Sequence, residues 1–558
     1  MVYYNLERRG KLDSIMKLHT EIFSKQYYDF IEKNALGEFE TAKILGQFYT
    51  NYNVARKMIT EIIENYHFNK SKIKIIDPFC GDGRLIKLFI ELLSEKGFKD
   101  VNLEIEIWDI SLDNVKEAEK GIKEAATQYL LDISITKRVA DAYVNYRSFS
   151  CEFDICITNP PWGILKPQKI FNAKYNDIEV EEYKAAISTY DSYMKQEFYL
   201  SQPTSKFGKW GTNLAKCGVE VALQLINRKG VCGFVSPASL LSDQVSVPLR
   251  KWIFQNHKVF SVNYYPAEAK LYGKADTSSI TMVLRKGEEE PDICVSLFNR
   301  ELECKTHLLN KSEYAYIKHK SYTFPFDIGI ERIPLLMKFE QFRTIEDYST
   351  LWRIKFTREI DETRISEKLK ETGNVVFIKG YMVDRFRINI DPIMYIDESI
   401  VSVPASVHKD KIVWRDVARL SSKRTMKATI VKKGYIAGNS LGTAYLESDN
   451  LNLLKTLLVI MNSFVFEMQV RALLTTNHVS AGIIKKLKIP EIDKHTEYIA
   501  TMYDRFLEGE EITEQDLECT VAKIYKLSKN EFVDSLSIFQ LDEYEKELLF
   551  KSANRILN

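Results

Sequence analysis

The stretch Ile75–Leu85, IIDPFCGDGRL, passes from an apolar pair to a carboxylate, then through Gly-x-Gly into an amphipathic segment. That order spells a strand, a tight turn and a helix. Gly81 and Gly83 allow a sharp turn and a close backbone approach to a ligand. The helix behind them offers free N–H groups at its start. Only two glycines are present and no Gly-Lys-Ser/Thr follows, so neither the dinucleotide fingerprint nor a phosphate loop is spelled. A carboxylate at the strand tip, Asp77, suits a cationic ligand head better than a pyrophosphate.

The same alternation continues on both sides. Ile73–Ile76 is the strand of this unit and Arg84–Lys96 its helix. Leu103–Trp108 is a strand closed by Asp109, and Ser111–Leu130 a helix. Ile133–Ala140 is a strand closed by Asp141, and Phe153–Thr158 a further one. A helical period covers Val219–Asn227, then strands are expected at 230–237 and 277–287. Strands alternating with helices over 44–290 predict a doubly wound, mostly parallel α/β sheet. Ligands of such sheets lie beyond the carboxyl ends of the strands. Asp77, Asp109, Asp141 and Asn159 all fall there. Asp109 suits the two hydroxyls of a ribose and Asp141 an adenine amine, although singly each reads as a helix-capping Asp, and Asp109, before SLDN, suits both uses. With Asp77 they fit one nucleoside carrying a positive centre, which is S-adenosylmethionine.

The strand Phe153–Thr158 runs into Asn159-Pro160-Pro161-Trp162. The exocyclic amine of a planar base has two donor hydrogens and a poorly available lone pair. Two acceptors, the Asn159 side-chain carbonyl and the Pro160 backbone carbonyl, would draw that nitrogen toward sp³. Proline fixes φ and brings no competing N–H. Trp162 offers a flat face for a base, worth ~1–3 kcal/mol by stacking. A base inside a duplex reaches such a pocket only by being flipped out.

DPFCGDG followed by NPPW resembles the amino-methyltransferases of nucleic-acid bases, in particular the adenine-N6 DNA methyltransferases. Ile44–Ile59 (ILGQFYTNYNVARKMI) resembles that family's G-x-x-Y-T-P segment, with Asn51 in place of the proline. The order of segments resembles the γ-class, TaqI-like enzymes of restriction–modification systems. The resemblance implies a mixed seven-stranded, Rossmann-like methyltransferase sheet and a C-terminal α+β target-recognition domain. It implies cofactor contacts from Tyr49, Thr50, Asp77, Pro78, Gly81, Gly83, Asp109 and Asp141. It implies a catalytic set of Asn159, Pro160, Pro161 and Trp162, with Tyr272 stacking on the far side of the base and Tyr265 as second choice. No metal is required.

The expected organisation is a helical segment at 1–43, the methyltransferase domain at 44–290 and a connector at 291–345. A β-rich recognition domain at 346–500 and an acidic helical segment at 501–558 complete it. Asn452–Leu474 is expected as one strong helix. Residues 411–433 carry eight basic side chains against Asp416 alone. Arg415, Arg419, Lys423, Arg424 and Lys427 of this strip are candidate phosphate contacts. The acidic 501–558 is expected to face solvent or pack on the body, away from DNA.

Composition is that of an ordinary globular chain: 558 residues, 45% apolar, 28% charged, formal net charge +1. No run reaches the ~18 apolar residues of a membrane span. The start MVYYNLERRGKLDS has neither an apolar h-region nor a cleavage site, so a prokaryotic cytoplasmic location is expected. Eight scattered cysteines without a CxxC argue against a zinc site or a disulfide framework. The partner implied is double-stranded DNA. Whether a separate cognate restriction endonuclease accompanies it stays open, as do an RNA or glutamine amino-methyltransferase and a fused restriction–methylation enzyme.

Overall fold

Ile73, Ile75 and Ile76 have no exposed surface, so β1 (Lys72–Asp77) runs through the middle of a sheet. Every residue of β4 (Phe153–Thr158) is likewise buried, as befits a parallel strand covered on both faces. The computed structural model describes residues 20–31, 45–98, 100–166, 177–202, 211–272, 277–287, 289–391, 393–399, 401–417, 422–474 and 478–557. They divide into two compact units, 1–323 and 324–558.

In the first unit, α1 (Tyr52–Asn65) precedes β1, and α2 (Arg84–Glu95), β2 (Asn102–Asp109), α3 (Leu112–Tyr129) and β3 (Asp132–Val139) follow it. After β4 come α4 (Asp177–Glu197), α5 (Leu214–Leu225), β5 (Ile226–Pro237), α6 (Val247–Asn256), β6 (His257–Tyr265) and β7 (Ser279–Lys286). The sheet order is β6-β7-β5-β4-β1-β2-β3, with β7 antiparallel to both neighbours and the other pairings parallel. This is the expected mixed seven-stranded sheet. Two short strands, β8 (Cys294–Phe298) and β9 (Cys304–Leu308), extend it beyond β6 to nine strands. Asn51 starts α1 as its N-cap, its side chain accepting from Asn53 N at 2.9 Å.

The chain leaves β1 toward β2 and β3, then returns to the other side of β1 as β4. That reversal opens a crevice beyond the carboxyl ends of β1 and β4. Asp77 ends the one strand and Asn159 follows the other.

The second unit holds a four-stranded antiparallel sheet in the order β10 (Ile354–Thr357), β16 (Leu441–Leu446), β13 (Lys411–Arg415), β14 (Ala428–Val431). A three-stranded sheet has the order β12 (Met394–Ile396), β11 (Val375–Ile378), β15 (Tyr435–Ala437). The run expected as one helix over 452–474 is two, α7 (Leu451–Met461) and α8 (Phe464–Leu473), bent by 65°. The break lies at Asn462, whose amide accepts from Ala428 N at 3.0 Å and donates to Ala428 O at 2.9 Å. Ser463 then caps α8 by accepting from Phe466 N. Helices α9 (Thr496–Leu507), α10 (Glu514–Ile524), α11 (Lys529–Leu536) and α12 (Glu543–Ile556) complete the unit. Among the described residues no single helix is long and apolar enough to cross a membrane.

Candidate active site

A cleft of about 840 Å³, counted to its open mouth, lies at the tips of β1, β2, β3 and β4. Tyr49, Thr50, Asp77, Pro78, Gly81, Asp109 and Asp141 line it, together with Asn159 and Pro161. Asp77 is fully buried. Its Oδ1 accepts from Thr158 Oγ1 at 2.8 Å and Phe79 N at 3.1 Å. Its Oδ2 is buried without a partner. Burial raises this carboxyl to about 7. An orphaned oxygen in a cleft is what a cationic ligand head would satisfy.

Asp109 accepts from Gly81 N at 3.0 Å, Ser111 N at 2.9 Å and Asn114 Nδ2 at 3.1 Å. It therefore shapes the glycine turn as well as facing the cleft; burial holds its carboxyl above the ordinary value. Asp141 caps a short helix through Tyr143 N at 2.9 Å, and its Oδ2 accepts from Ser24 Oγ and from Tyr190 Oη at 2.6 Å. Any ligand amine must share it. Gly83 does not line the cleft. It is left-handed, φ +74°, and a Cβ there would stand 2.9 Å from Ala118 Cα of α3. Its role is to let α2 pack on α3. Tyr49 is half exposed, with the Arg84 guanidinium 4.2 Å from its ring centre.

The Asn159 amide is fixed by three bonds. Nδ2 donates to Phe48 O at 2.6 Å and Thr50 Oγ1 at 3.1 Å; Oδ1 accepts from Trp162 Nε1 at 3.0 Å. An indole N–H only donates, so reversing the amide would set donor against donor at one end. Trp162 N also donates to Gly46 O at 2.8 Å. Gly46 has φ +71°, and a Cβ on it would lie 2.0 Å from Gly163 N. The 45–50 segment is thus zipped onto the Asn-Pro-Pro-Trp turn. Pro160 is buried, and a Cβ on Gly218 of α5 would meet its Cβ at 2.3 Å.

Trp162 and Tyr272 do come together, with ring centres 4.4 Å apart and planes tilted by 58°. Phe48 stands 5.5 Å from Trp162. A base held between two rings makes contacts of about 3.5 Å on each face, which sets those rings roughly 7 Å apart. In this conformation the two rings contact each other instead. Tyr272 is buried and its hydroxyl donates to Ser279 Oγ at 3.1 Å. Tyr265, the second choice, is a core residue stacked on Phe298 at 4.5 Å.

In the second unit the basic strip divides. Arg424 is 8% exposed; it donates to Glu467 Oε2 at 2.7 Å and Glu518 Oε1 at 3.0 Å, and also bonds Asn462 O. It is an internal cation and does not present itself to a phosphate. Lys411 is buried on Glu359 at 2.6 Å. Arg415 donates to Val383 O at 2.6 Å, Lys427 pairs with Asp384 at 3.2 Å, and Lys423 pairs with Glu545. Arg419 lies outside the described residues. The acidic 501–558 thus supplies counter-charges to the strip. Among the described residues no group of His, Cys, Asp and Glu could hold a metal ion.

Sequence reasoning missed Gly46, Phe48 and Asn114. Gly46 was visible in the G-x-x-Y-T segment; the backbone carbonyl of Phe48 left no sequence signal.

Residues 85–272 match the family described as Eco57I restriction-modification methylase. No curated protein matches the chain. Among solved structures, the type IIL restriction-modification enzyme MmeI, in complex with DNA, is similar over 95% of this chain and 81% of its own, at 11% identity and TM-score 0.54. The type IIG restriction endonuclease BpuSI matches 92% of this chain and 66% of its own, at 13% identity and TM-score 0.41. A type I restriction-modification methyltransferase subunit from Streptococcus thermophilus matches 50% of this chain and 58% of its own, at 12% identity and TM-score 0.32. The MmeI likeness shows a shared fold. The family match over 85–272, which holds Asp109, Asp141 and the Asn-Pro-Pro-Trp turn, together with the glycine turn that precedes that turn in the γ order, supports a γ-class restriction-modification methyltransferase.

Proposed function

We propose that the protein transfers a methyl group from S-adenosylmethionine to the N6 amine of an adenine flipped out of duplex DNA, as the modifying activity of a prokaryotic, cytoplasmic restriction–modification system. The observation that carries this reading is the pairing of two acceptors on adjacent strand tips. Asp77 Oδ2 is buried and unpartnered in the cleft, and Asn159 Oδ1 is held in one orientation by its amide's other bonds.

S-adenosylmethionine, when bound, supplies a methyl group activated by a sulfonium. Asp77 would receive the ammonium of its amino-acid end, beside Pro78, Gly81, Tyr49 and Thr50. Asp109 would hold the ribose. Asn159 Oδ1 and the Pro160 carbonyl would accept the two hydrogens of the target amine, which localises the nitrogen lone pair for an in-line attack. Pro161 and the backbone it fixes keep competing N–H donors out of the turn. Trp162 would give up its contact with Tyr272, and the two rings would then close on the base. The proton released afterwards goes to solvent. Arg415, Lys423 and Lys427 would contribute phosphate contacts, as would Arg419; Lys423 and Lys427 would exchange their carboxylate partners Glu545 and Asp384 for phosphate.

The test is expression in a host free of DNA methylation, followed by sequencing that detects N6-methyladenine. The expected result is one modified motif, abolished by Asn159→Ala, with binding of S-adenosylhomocysteine retained within about threefold. Absence of any modified motif would point to an RNA or a glutamine side chain as the acceptor.

A further inference from the structure

Residues 20–31 form a helix that takes no part in the function as read above, yet it reaches the cofactor cleft. Tyr28 lines the cleft, 8% exposed, with Asp109, Ile110, Asn114, Ala140 and Asp141. The helix is tied down at that end, since Ser24 Oγ donates to Asp141 Oδ2 beside Tyr190 Oη. Tyr28 stands edge-on to Tyr27 at 5.0 Å and to Tyr190 at 6.3 Å. Neither of those two rings lines the cleft, so Tyr28 is held from behind.

The other aromatic residues of the cleft have neighbours of their own. Phe79 and Tyr143 pack on each other at 5.1 Å, Phe48 faces Trp162, and Tyr49 lies under Arg84. At the tips of β2 and β3 the cleft is lined by Ile110, Ala140, Ala142 and Tyr143. A planar base set against them needs a second flat surface to enclose it, and the Tyr28 ring lines the same cleft. Burial and the neighbouring Asp141 hold the Tyr28 phenol well above its ordinary value, so the ring there is neutral.

We propose that Tyr28 is a binding wall for the adenine ring of the cofactor, and that helix 20–31 is an integral part of the cofactor site, anchored on Asp141 by Ser24. This rests on the S-adenosylmethionine reading above.

The test is calorimetric titration of the full chain with S-adenosylhomocysteine and with 5′-methylthioadenosine, which keeps the nucleoside and lacks the amino-acid end. Tyr28→Leu should weaken both ligands by the same factor, roughly tenfold. Tyr28→Phe should stay within twofold of wild type. Asp77→Asn should weaken S-adenosylhomocysteine and leave methylthioadenosine unchanged, which separates the two ends of the cleft. Methylthioadenosine affinity of Tyr28→Leu within twofold of wild type overturns the proposal, as does a loss confined to S-adenosylhomocysteine. If Tyr28→Leu does not fold, Ser24→Ala is titrated instead. A loss of about threefold for both ligands supports the anchored helix, and no loss overturns it. A wild-type chain that binds neither ligand refutes the cofactor reading and this inference with it, a result distinct from variants that bind as wild type does.

Discussion

Replacing Asp77 by asparagine should weaken the cofactor and stabilise the fold at the same time. Asp77 is fully buried, and burial raises its carboxyl from an ordinary 3.8 to about 7. Keeping that group ionised inside the fold therefore costs up to roughly 4 kcal/mol. The folded chain holds the Asp77 proton up to about pH 7, whereas the unfolded chain loses it near 3.8. Between those values the folded state binds more protons, so this group's contribution to stability falls as pH rises. Asp77→Asn keeps an oxygen for Thr158 Oγ1 and Phe79 N and removes the titration. The stability difference between variant and wild type should thus grow in the variant's favour from pH 4 to pH 7 and then level off.

Ligand binding runs the other way. Only the ionised carboxylate attracts an ammonium, and the ionised fraction rises from about a tenth at pH 6 to about nine tenths at pH 8. Wild-type affinity for S-adenosylhomocysteine should therefore rise roughly tenfold over that range. Asp77→Asn should show no such rise. At pH 8 it should bind roughly 10- to 100-fold more weakly, the worth of one charge-assisted hydrogen bond. Calorimetric titration at pH 6, 7 and 8, with denaturant unfolding at pH 5 and 8, measures both arms. A wild-type affinity flat from pH 6 to 8, or a variant that binds as tightly as wild type at pH 8, would refute Asp77 as the cationic-head acceptor.

Four further variants have expected outcomes. Trp162→Phe keeps a ring but deletes the Nε1–Asn159 Oδ1 bond, worth about 0.5–1.5 kcal/mol; 2-aminopurine at the target position should show a two- to tenfold shift toward the flipped state, and unchanged emission would mean that this bond does not oppose seating of the base. Gly46→Ala forces a Cβ against Gly163 N at a positive φ, costing about 3 kcal/mol; the thermal midpoint should drop by roughly 4 °C, and a wild-type midpoint would contradict the zippered turn. Arg424→Ala leaves Glu467 and Glu518 buried with one cation fewer and should cost about 3–5 kcal/mol in denaturant unfolding without altering the salt dependence of DNA binding. Lys427→Ala should instead lower that salt slope by about 1.

The strands were legible because burial on both faces of β4 demands an unbroken apolar run, and because a doubly wound sheet gathers its strand tips on one side. Asp77 and Asn159 needed no further information than their places after Ile76 and Thr158. What escaped was set by partners far along the chain. A local charge count reads Arg424 as a surface cation, since an isolated buried charge is costly. Its partners Glu467 and Glu518 stand 43 and 94 positions away, beyond any window that sums neighbouring charges. The break between α7 and α8 has the same origin. Helix propensity carries 452–474 straight through Asn462, but both backbone groups of Ala428 in β14 are satisfied by that one amide.

Ser24 is a third case, 117 positions from Asp141, in a segment whose helical pattern says nothing of what its hydroxyl meets. In each, a polar group is removed from water and something distant must meet its hydrogen-bonding demand. That demand also bears on the proposed site. Asn159 Oδ1 has an indole N–H on it and Asp77 Oδ2 has nothing. Of the two acceptors the chemistry calls for, one is already covered by the chain's own Trp162 and one still lacks a partner. Cofactor binding should therefore gain from Asp77 with no rearrangement there, while seating a base must first displace Trp162. Cofactor association should accordingly show a single fast phase, and DNA added to the binary complex a slower one that Trp162→Phe accelerates. Equal rates for wild type and Trp162→Phe would mean that the indole is no barrier to the base.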